Sequence, residues 1–135
     1  SPRRRRGSAM YVEQERPTVK IFFHEGPRSA ALLRQIGFGL EEEGIPYEAV
    51  ADSSEDDACG LAWNAARASQ MEVGIGIDAG TVALHYAKLD RDRPLFKTAA
   101  ASDSEEIRVI GTNAGRLVKK LPLKITESIV DKVVK

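Results

Sequence analysis

Apolar residues recur along this chain in two rhythms, one of period two and one of period 3.6. Val19-Lys20-Ile21-Phe22-Phe23-His24 is dense in β-branched and aromatic residues and reads as a first strand. Leu33, Ile36 and Leu40 then share one helical face, with Leu32 beside Ile36. That spacing predicts a helix over residues 30–43, with Ser29 as its N-cap and Gly44-Ile45-Pro46 as its stop. Residues 47–51 alternate and predict a second strand. An Ala-rich helix follows over residues 58–69, capped by Asp56 or Asp57 and able to lie close to a sheet. Residues 71–78 are a third strand, joined by the tight Ala79-Gly80 turn to an antiparallel fourth over residues 81–86. A charged loop at 90–94 leads to a short fifth strand over residues 95–99. Ser102 and Glu105 have the spacing of a capping box for a last helix that reaches about Lys120. Its stripe is Ile107, Ile110, Ala114, Leu117 and Leu121, and Pro122 turns the chain away. The order β-α-β-α-β-β-β-α, with two parallel crossovers and one hairpin, implies an α/β fold. The architecture is a three-layer α/β/α sandwich on a mixed sheet of about five strands, one of them antiparallel.

Charge and composition narrow the function classes. The 135 residues suffice for one domain, expected over residues 18–122, between a disordered basic arm over 1–17 and a C-terminal tail over 123–135. The arm carries Arg3, Arg4, Arg5 and Arg6, a like-charge block of the kind that stays solvated. Formal net charge is zero, so no global field draws nucleic acid or an anionic membrane. No apolar run approaches the roughly 20 residues of a membrane-spanning helix. The one cysteine, Cys59, rules out an internal disulfide and suits a reducing compartment.

Candidate chemistry is sparse. His24 closes a strand before a helix, where α/β ligand sites lie, but no second catalytic-looking group is spaced with it. It is read as a polar strand end, and His85 as structural. The acidic loop with Asp52, Asp56 and Asp57 lacks the glycine and terminal glutamate of a calcium loop. Gly74-x-Gly76 sits inside a strand with no third glycine opening a helix, so it suits close packing better than a nucleotide phosphate. Cys59 and Trp63, four apart, read as a packing pair that anchors the second helix. The oddity is Glu41-Glu42-Glu43. A helix C-terminus carries partial negative charge, and Gly37 and Gly39 weaken the same helix by roughly 0.5–1 kcal/mol each. Either the carboxylates point into water, or one of them meets a cation: a metal, or a basic side chain on a partner. Gly111-Thr112-Asn113-Ala114-Gly115 is also poor helix sequence, and its small residues would admit another chain or element.

Several motifs occur together and in order: Glu41-Glu42-Glu43-Gly44-Ile45-Pro46, Ala62-Trp63-Asn64-Ala65-Ala66-Arg67, Val73-Gly74-Ile75, His85-Tyr86 with Pro94-Leu95-Phe96, and Gly111-Thr112-Asn113-Ala114-Gly115-Arg116-Leu117-Val118-Lys119 with Pro122. From Val19 to Pro122 the chain resembles the small subunit of diol/glycerol dehydratase-reactivating factors. The resemblance implies an anticodon-binding-domain-like fold similar to the dehydratase medium subunit. It implies a chain that is not itself an enzyme and holds no cofactor alone. The partner is a large, chaperone-like ATPase subunit, in a two-plus-two heterotetramer that uses ATP and Mg²⁺. The complex releases damaged cobalamin from inactivated adenosylcobalamin-dependent glycerol or diol dehydratase, and the small subunit acts by swapping into the dehydratase. Within the glutamate motif, the resemblance points to Glu42 as a ligand of a divalent cation held mainly by the large subunit. The expected partner interface comprises Glu41, Glu42, Glu43, Asn113 and Arg116. Nucleic acid and membrane are not expected partners. The expected location is cytoplasmic, with a bacterial microcompartment allowed. Competing readings are a dehydratase medium subunit, a stand-alone nucleotide- or flavin-binding α/β module, and an anticodon-binding-like accessory module.

Overall fold

The computed structural model describes residues 16–120; the Arg3–Arg6 block, Leu121, Pro122 and the tail lie outside it. The elements are β1 (Val19–Phe23), α1 (Ser29–Glu42), β2 (Tyr47–Ala51), α2 (Ala58–Ala68), β3 (Val73–Ile77), β4 (Thr81–Tyr86), β5 (Phe96–Ala99) and α3 (Ser104–Lys119). The five strands lie in the order β2-β1-β3-β4-β5. β1 pairs in parallel with β2 and β3, whereas β4 runs antiparallel to both β3 and β5. The expected order, the mixed sheet and its one antiparallel strand are all present.

Period-two alternation sorts each strand between two helical layers. Val19, Ile21 and Phe23 of β1 and Val73, Ile75 and Ile77 of β3 join Leu32, Ile36 and Leu40 of α1 and Ile107, Ile110 and Ala114 of α3 in the main core. The opposite face of β3 bears Gly74 and Gly76. A Cβ on Gly74 would collide with the backbone at Ala62, Ala65 and Ala66, and one on Gly76 with the backbone at Ala58 and Ala62. The two glycines and the alanines of α2 therefore let helix and sheet touch backbone to backbone, which completes the sandwich.

Two helix starts differ in register from expectation. Ser29 is not the cap of α1. Arg28 precedes the helix without a side-chain cap bond, and Ser29 Oγ donates back to Gly26 O at 2.9 Å. For α3 the cap is Asp103, extended at φ −69° and ψ 167°, whose Oδ1 accepts from Glu106 N at 2.9 Å. Ser102, the expected cap, instead bonds Thr98 Oγ1 through its hydroxyl at 3.0 Å. Asp57 caps α2 as expected, accepting from Gly60 N at 2.9 Å.

Trp63 anchors a loop rather than the core. Its Nε1 donates to Leu89 O at 3.1 Å, and Arg67 stacks on its ring at 4.5 Å. Cys59 Sγ donates to Arg91 O at 3.1 Å, and the fully buried His85 uses Nε2 on that same carbonyl at 3.0 Å. His85 Nδ1 accepts from Tyr86 N at 3.0 Å, which makes Nε2 the protonated nitrogen. Helix α2 and its neighbours thus pin the charged loop between β4 and β5. Burial pushes the Cys59 thiol pKa upward, with Asp57 as a secondary cause, which suits a structural rather than a reactive cysteine.

The two helices on the core side are just as close. A Cβ on Gly111 would overlap the Ile36 carbonyl, and one on Gly39 the Arg108 carbonyl and Thr112 N. If Gly111 were only a poor helix former, Gly111→Ala would stabilise the protein by up to about 1 kcal/mol. The contact predicts the opposite sign. Urea unfolding should show Gly111→Ala destabilised by about 1–3 kcal/mol. Gly26→Ala, where a Cβ meets nothing within 4 Å, should stay within about 0.5 kcal/mol of the parent.

Candidate functional site

The unusual glutamates end α1 in a Schellman turn. Gly44 takes φ +72°, its N–H donates to Glu41 O at 3.0 Å, and Ile45 N donates to Leu40 O at 3.0 Å. The turn fixes the direction of the last helical residues, and successive side chains fan out by about 100° each. Each carboxylate then meets a different environment.

Glu43 faces α3 and is nearly enclosed, with its side chain 12% exposed. Lys119 Nζ lies 2.8 Å from its Oε1, and Arg116 Nε donates to its Oε2 at 3.2 Å. Lys119 also donates to the Glu43 carbonyl at 2.9 Å, placing a cation on the negative end of α1. The hydrogen bond from Lys119 is the largest cause holding the Glu43 carboxyl below its ordinary pKa, against the upward pull of burial; Arg116 adds to the lowering. Glu41 turns toward β2, where Tyr47 Oη donates to its Oε2 at 3.1 Å. Gly37 makes room for that ring, since a Cβ there would meet Tyr47 Oη. Burial raises the Tyr47 pKa, and the bond to Glu41 raises it further. Glu42 points outward and is 52% exposed, and Arg108 Nη1 donates to its Oε2 at 3.2 Å. Among the described residues Oε1 of Glu42 has no partner. The same guanidinium lies over the Phe38 ring at 5.7 Å, and Phe38 is 40% exposed. Beside them is a notch of about 350 Å³ between α1 and α3, lined by Glu42, Ser104, Glu105, Arg108, Val109 and Thr112.

The cations beside Glu42 and Glu43 belong to this chain, and Glu41 is met by a phenol. Side chains of the same chain are an environment beyond the water and the external cation considered from the sequence. Glu41, Glu42, Glu43 and Arg116 come together at one end of the α1–α3 pair. Asn113 does not join them on the surface of the described chain, where it is fully buried. The expectation that Gly111–Gly115 admits an approaching element is met within the chain, because α1 is that element. Sequence reasoning missed Arg108 and Phe38. Phe38 stands four residues before Glu42, a spacing that puts both on one helical face. Arg108 had no local signal, because its partner is 66 positions away.

Among the described residues no cluster of three or more His, Cys, Asp or Glu side chains could hold a metal. This part of the chain could supply one ligand of a shared site but not a whole shell. Glu42 suits such a role. It offers hard oxygen to a hard cation, and it is exposed and singly bonded where Glu43 is doubly clamped. A larger cavity of about 470 Å³ lies at the carboxyl ends of β1 and β3, lined by His24, Arg28, Ser29, Leu32, Ile77 and Asp78 among others. Among the described residues the buried His24 Nε2 has no hydrogen-bond partner. No helix among the described residues is long and apolar enough to cross a membrane.

The described residues form a mixed five-stranded α/β/α sandwich with an exposed carboxylate, Glu42, at the end of α1. Residues 16–124 match the family described as dehydratase medium subunit. The chain is 38% identical over 107 residues to a probable glycerol dehydratase-reactivating factor small subunit of Citrobacter freundii, covering 78% of this chain and 92% of that one. It is 39% identical over 108 residues to the diol dehydratase-reactivating factor small subunit of Klebsiella michiganensis, covering 80% and 84%. A solved glycerol dehydratase reactivase chain superposes with a TM-score of 0.77 at 38% identity, covering 82% of this chain and 98% of that one. A chain of diol dehydratase-reactivating factor, solved in complex with ADP and Mg²⁺, gives a TM-score of 0.75 at 35% identity, covering 82% and 100%. The chain belongs to the dehydratase-reactivating factor small subunits, within the dehydratase medium-subunit family.

The geometry makes Glu43 the structural member of the trio. Its folded pKa is depressed, so its contribution is present above the ordinary carboxylate value of 4.5 and is lost as pH falls through the lower folded value. Glu43→Gln should therefore be less stable than the parent by about 1–3 kcal/mol at pH 7. The difference should shrink toward zero as urea unfolding is repeated at falling pH below 4.5.

Proposed function

We propose that this chain is the small, non-catalytic subunit of an ATP-dependent reactivating factor for an adenosylcobalamin-dependent glycerol or diol dehydratase. The carrying observation is its likeness to reactivating-factor small subunits over 78–80% of its own length and 84–92% of theirs. In this reading a large subunit holds the nucleotide and hydrolyses ATP. The two kinds of chain form a two-plus-two heterotetramer in the cytoplasm, and the small subunit leaves it to take the medium subunit's position in the damaged dehydratase. The ADP and Mg²⁺ of the solved relative support a nucleotide- and metal-dependent complex. The contact surface is the outer end of the α1–α3 pair, with Glu41, Glu42, Glu43 and Arg116. Glu42 completes the coordination of a divalent cation held mainly by the large subunit. The cation would neutralise a carboxylate that the helix dipole disfavours, and would link assembly to metal.

The alternative of a resident dehydratase medium subunit has the family description in its favour. Native mass spectrometry of this chain with a large ATPase subunit separates the two. The expected result is a two-plus-two complex that sheds this chain to cobalamin-free dehydratase when ATP is added. A chain that sits permanently in the dehydratase would favour the alternative. Glu42→Ala should keep the fold and weaken assembly at low Mg²⁺ by about tenfold or more. Unchanged affinity together with unchanged Mg²⁺ dependence would remove Glu42 from the site.

A further inference from the structure

Glu42 is not vacant in the free chain. Its Oε2 accepts from Arg108 Nη1 at 3.2 Å, a single bond rather than a two-pronged one. Both side chains are about half exposed, 52% for Glu42 and 44% for Arg108. Such a pair is weak and readily opened. The same guanidinium lies over the Phe38 ring at 5.7 Å while it holds Glu42, a contact that does not depend on the carboxylate. The notch beside it presents Glu105 as a further carboxylate. No comparable freedom exists at Glu43, which two cations grip at 2.8 and 3.2 Å.

We propose that Arg108 is a displaceable counter-ion for Glu42. It holds the carboxylate in the free chain and gives way, onto Phe38, when the partner's divalent cation arrives. The inference rests on the reading that Glu42 reaches that cation. Arginine and a divalent cation on the two oxygens of one carboxylate would repel each other across a few ångströms, so Arg108 weakens the cation's hold for as long as it stays. The divalent ion, partly stripped of water and already ligated by the partner, is the stronger claimant. Arg108 therefore works against assembly. It lowers the affinity of a chain that has to leave one complex for another, and it keeps the exposed carboxylate from capturing free cations.

This predicts a gain from removing a charge that looks helpful. Affinity of the full chain for the large subunit is measured across a MgCl₂ series for the parent, Arg108→Gln, Glu42→Gln and the double variant. Arg108→Gln is expected to bind about two- to five-fold tighter at low MgCl₂. It should also reach half-maximal assembly at lower MgCl₂. The gain should disappear in the Glu42→Gln background. If Glu42→Gln weakens Mg²⁺-dependent assembly while Arg108→Gln leaves it equal or weaker, the counter-ion role is wrong and the Glu42 assignment stands. A gain that persists in the Glu42→Gln background means that Arg108 acts on the partner directly, which also overturns the proposal. If Glu42→Gln changes neither affinity nor Mg²⁺ dependence, the Glu42 assignment itself falls.

Discussion

The carboxylate end of this molecule depends on how closely α1 and α3 approach. Gly39 faces the α3 backbone and Gly111 faces the α1 backbone, and neither position has room for a Cβ. Each glycine costs its helix about 1 kcal/mol of intrinsic propensity. The close crossing brings Arg108, Arg116 and Lys119 of α3 within reach of the last residues of α1. Helix α1 can then end in three glutamates where its own dipole would disfavour them. The glycines that weaken each helix alone and the carboxylates that burden one of them are parts of a single arrangement.

The other face of the sheet uses the same device for a different end. Gly74 and Gly76 sink α2 onto β3, where the buried Ala58, Ala62 and Ala66 lie at the contact. The outer side of that helix is left to hold the β4–β5 loop through Cys59 and Trp63, while His85 binds the same loop from inside the fold. Asp78 works similarly at the turn after β3, accepting from Ala58 N, Gly80 N and Thr81 N. Each of these polar groups has its hydrogen bonds within the fold, in keeping with the packing role read for Cys59 and Trp63 and the structural role read for His85.

The three glutamates form a gradient from structure toward contact. Glu43 ties two helices together, Glu41 ties α1 to the edge strand through Tyr47, and Glu42 meets solvent and one arginine. A chain proposed to exchange partners needs that division. The enclosed pairs hold the surface in shape, and the exposed pair, weak in water, leaves a charge that can be traded. The exposed Phe38 ring sits beside it, so the face mixes an aromatic contact with polar ones, as reversible interfaces do.

Much of this was legible in one dimension, because it follows from local rules. Alternation in β1 and β3, the i, i+4 spacing of Leu32, Ile36 and Leu40, the Gly44 stop and the Ala-rich α2 determined the element order and the layered fold. The linked motifs determined the family. Cap registers slipped by a residue, because Asp103 and Ser102 are equally able acceptors and only the backbone angles choose between them. The burial of Asn113 was not legible for a related reason: a small polar residue in a glycine-rich helix looks available until the fold encloses it. What each glutamate does was decided by tertiary structure alone. Arg108, Arg116 and Lys119 stand 66 to 76 positions away along the chain. Charge pairing acts over a few ångströms of space and takes no account of sequence separation, so only the folded crossing of α1 and α3 could assign one carboxylate to the neighbouring helix, one to the sheet edge and one to the outside.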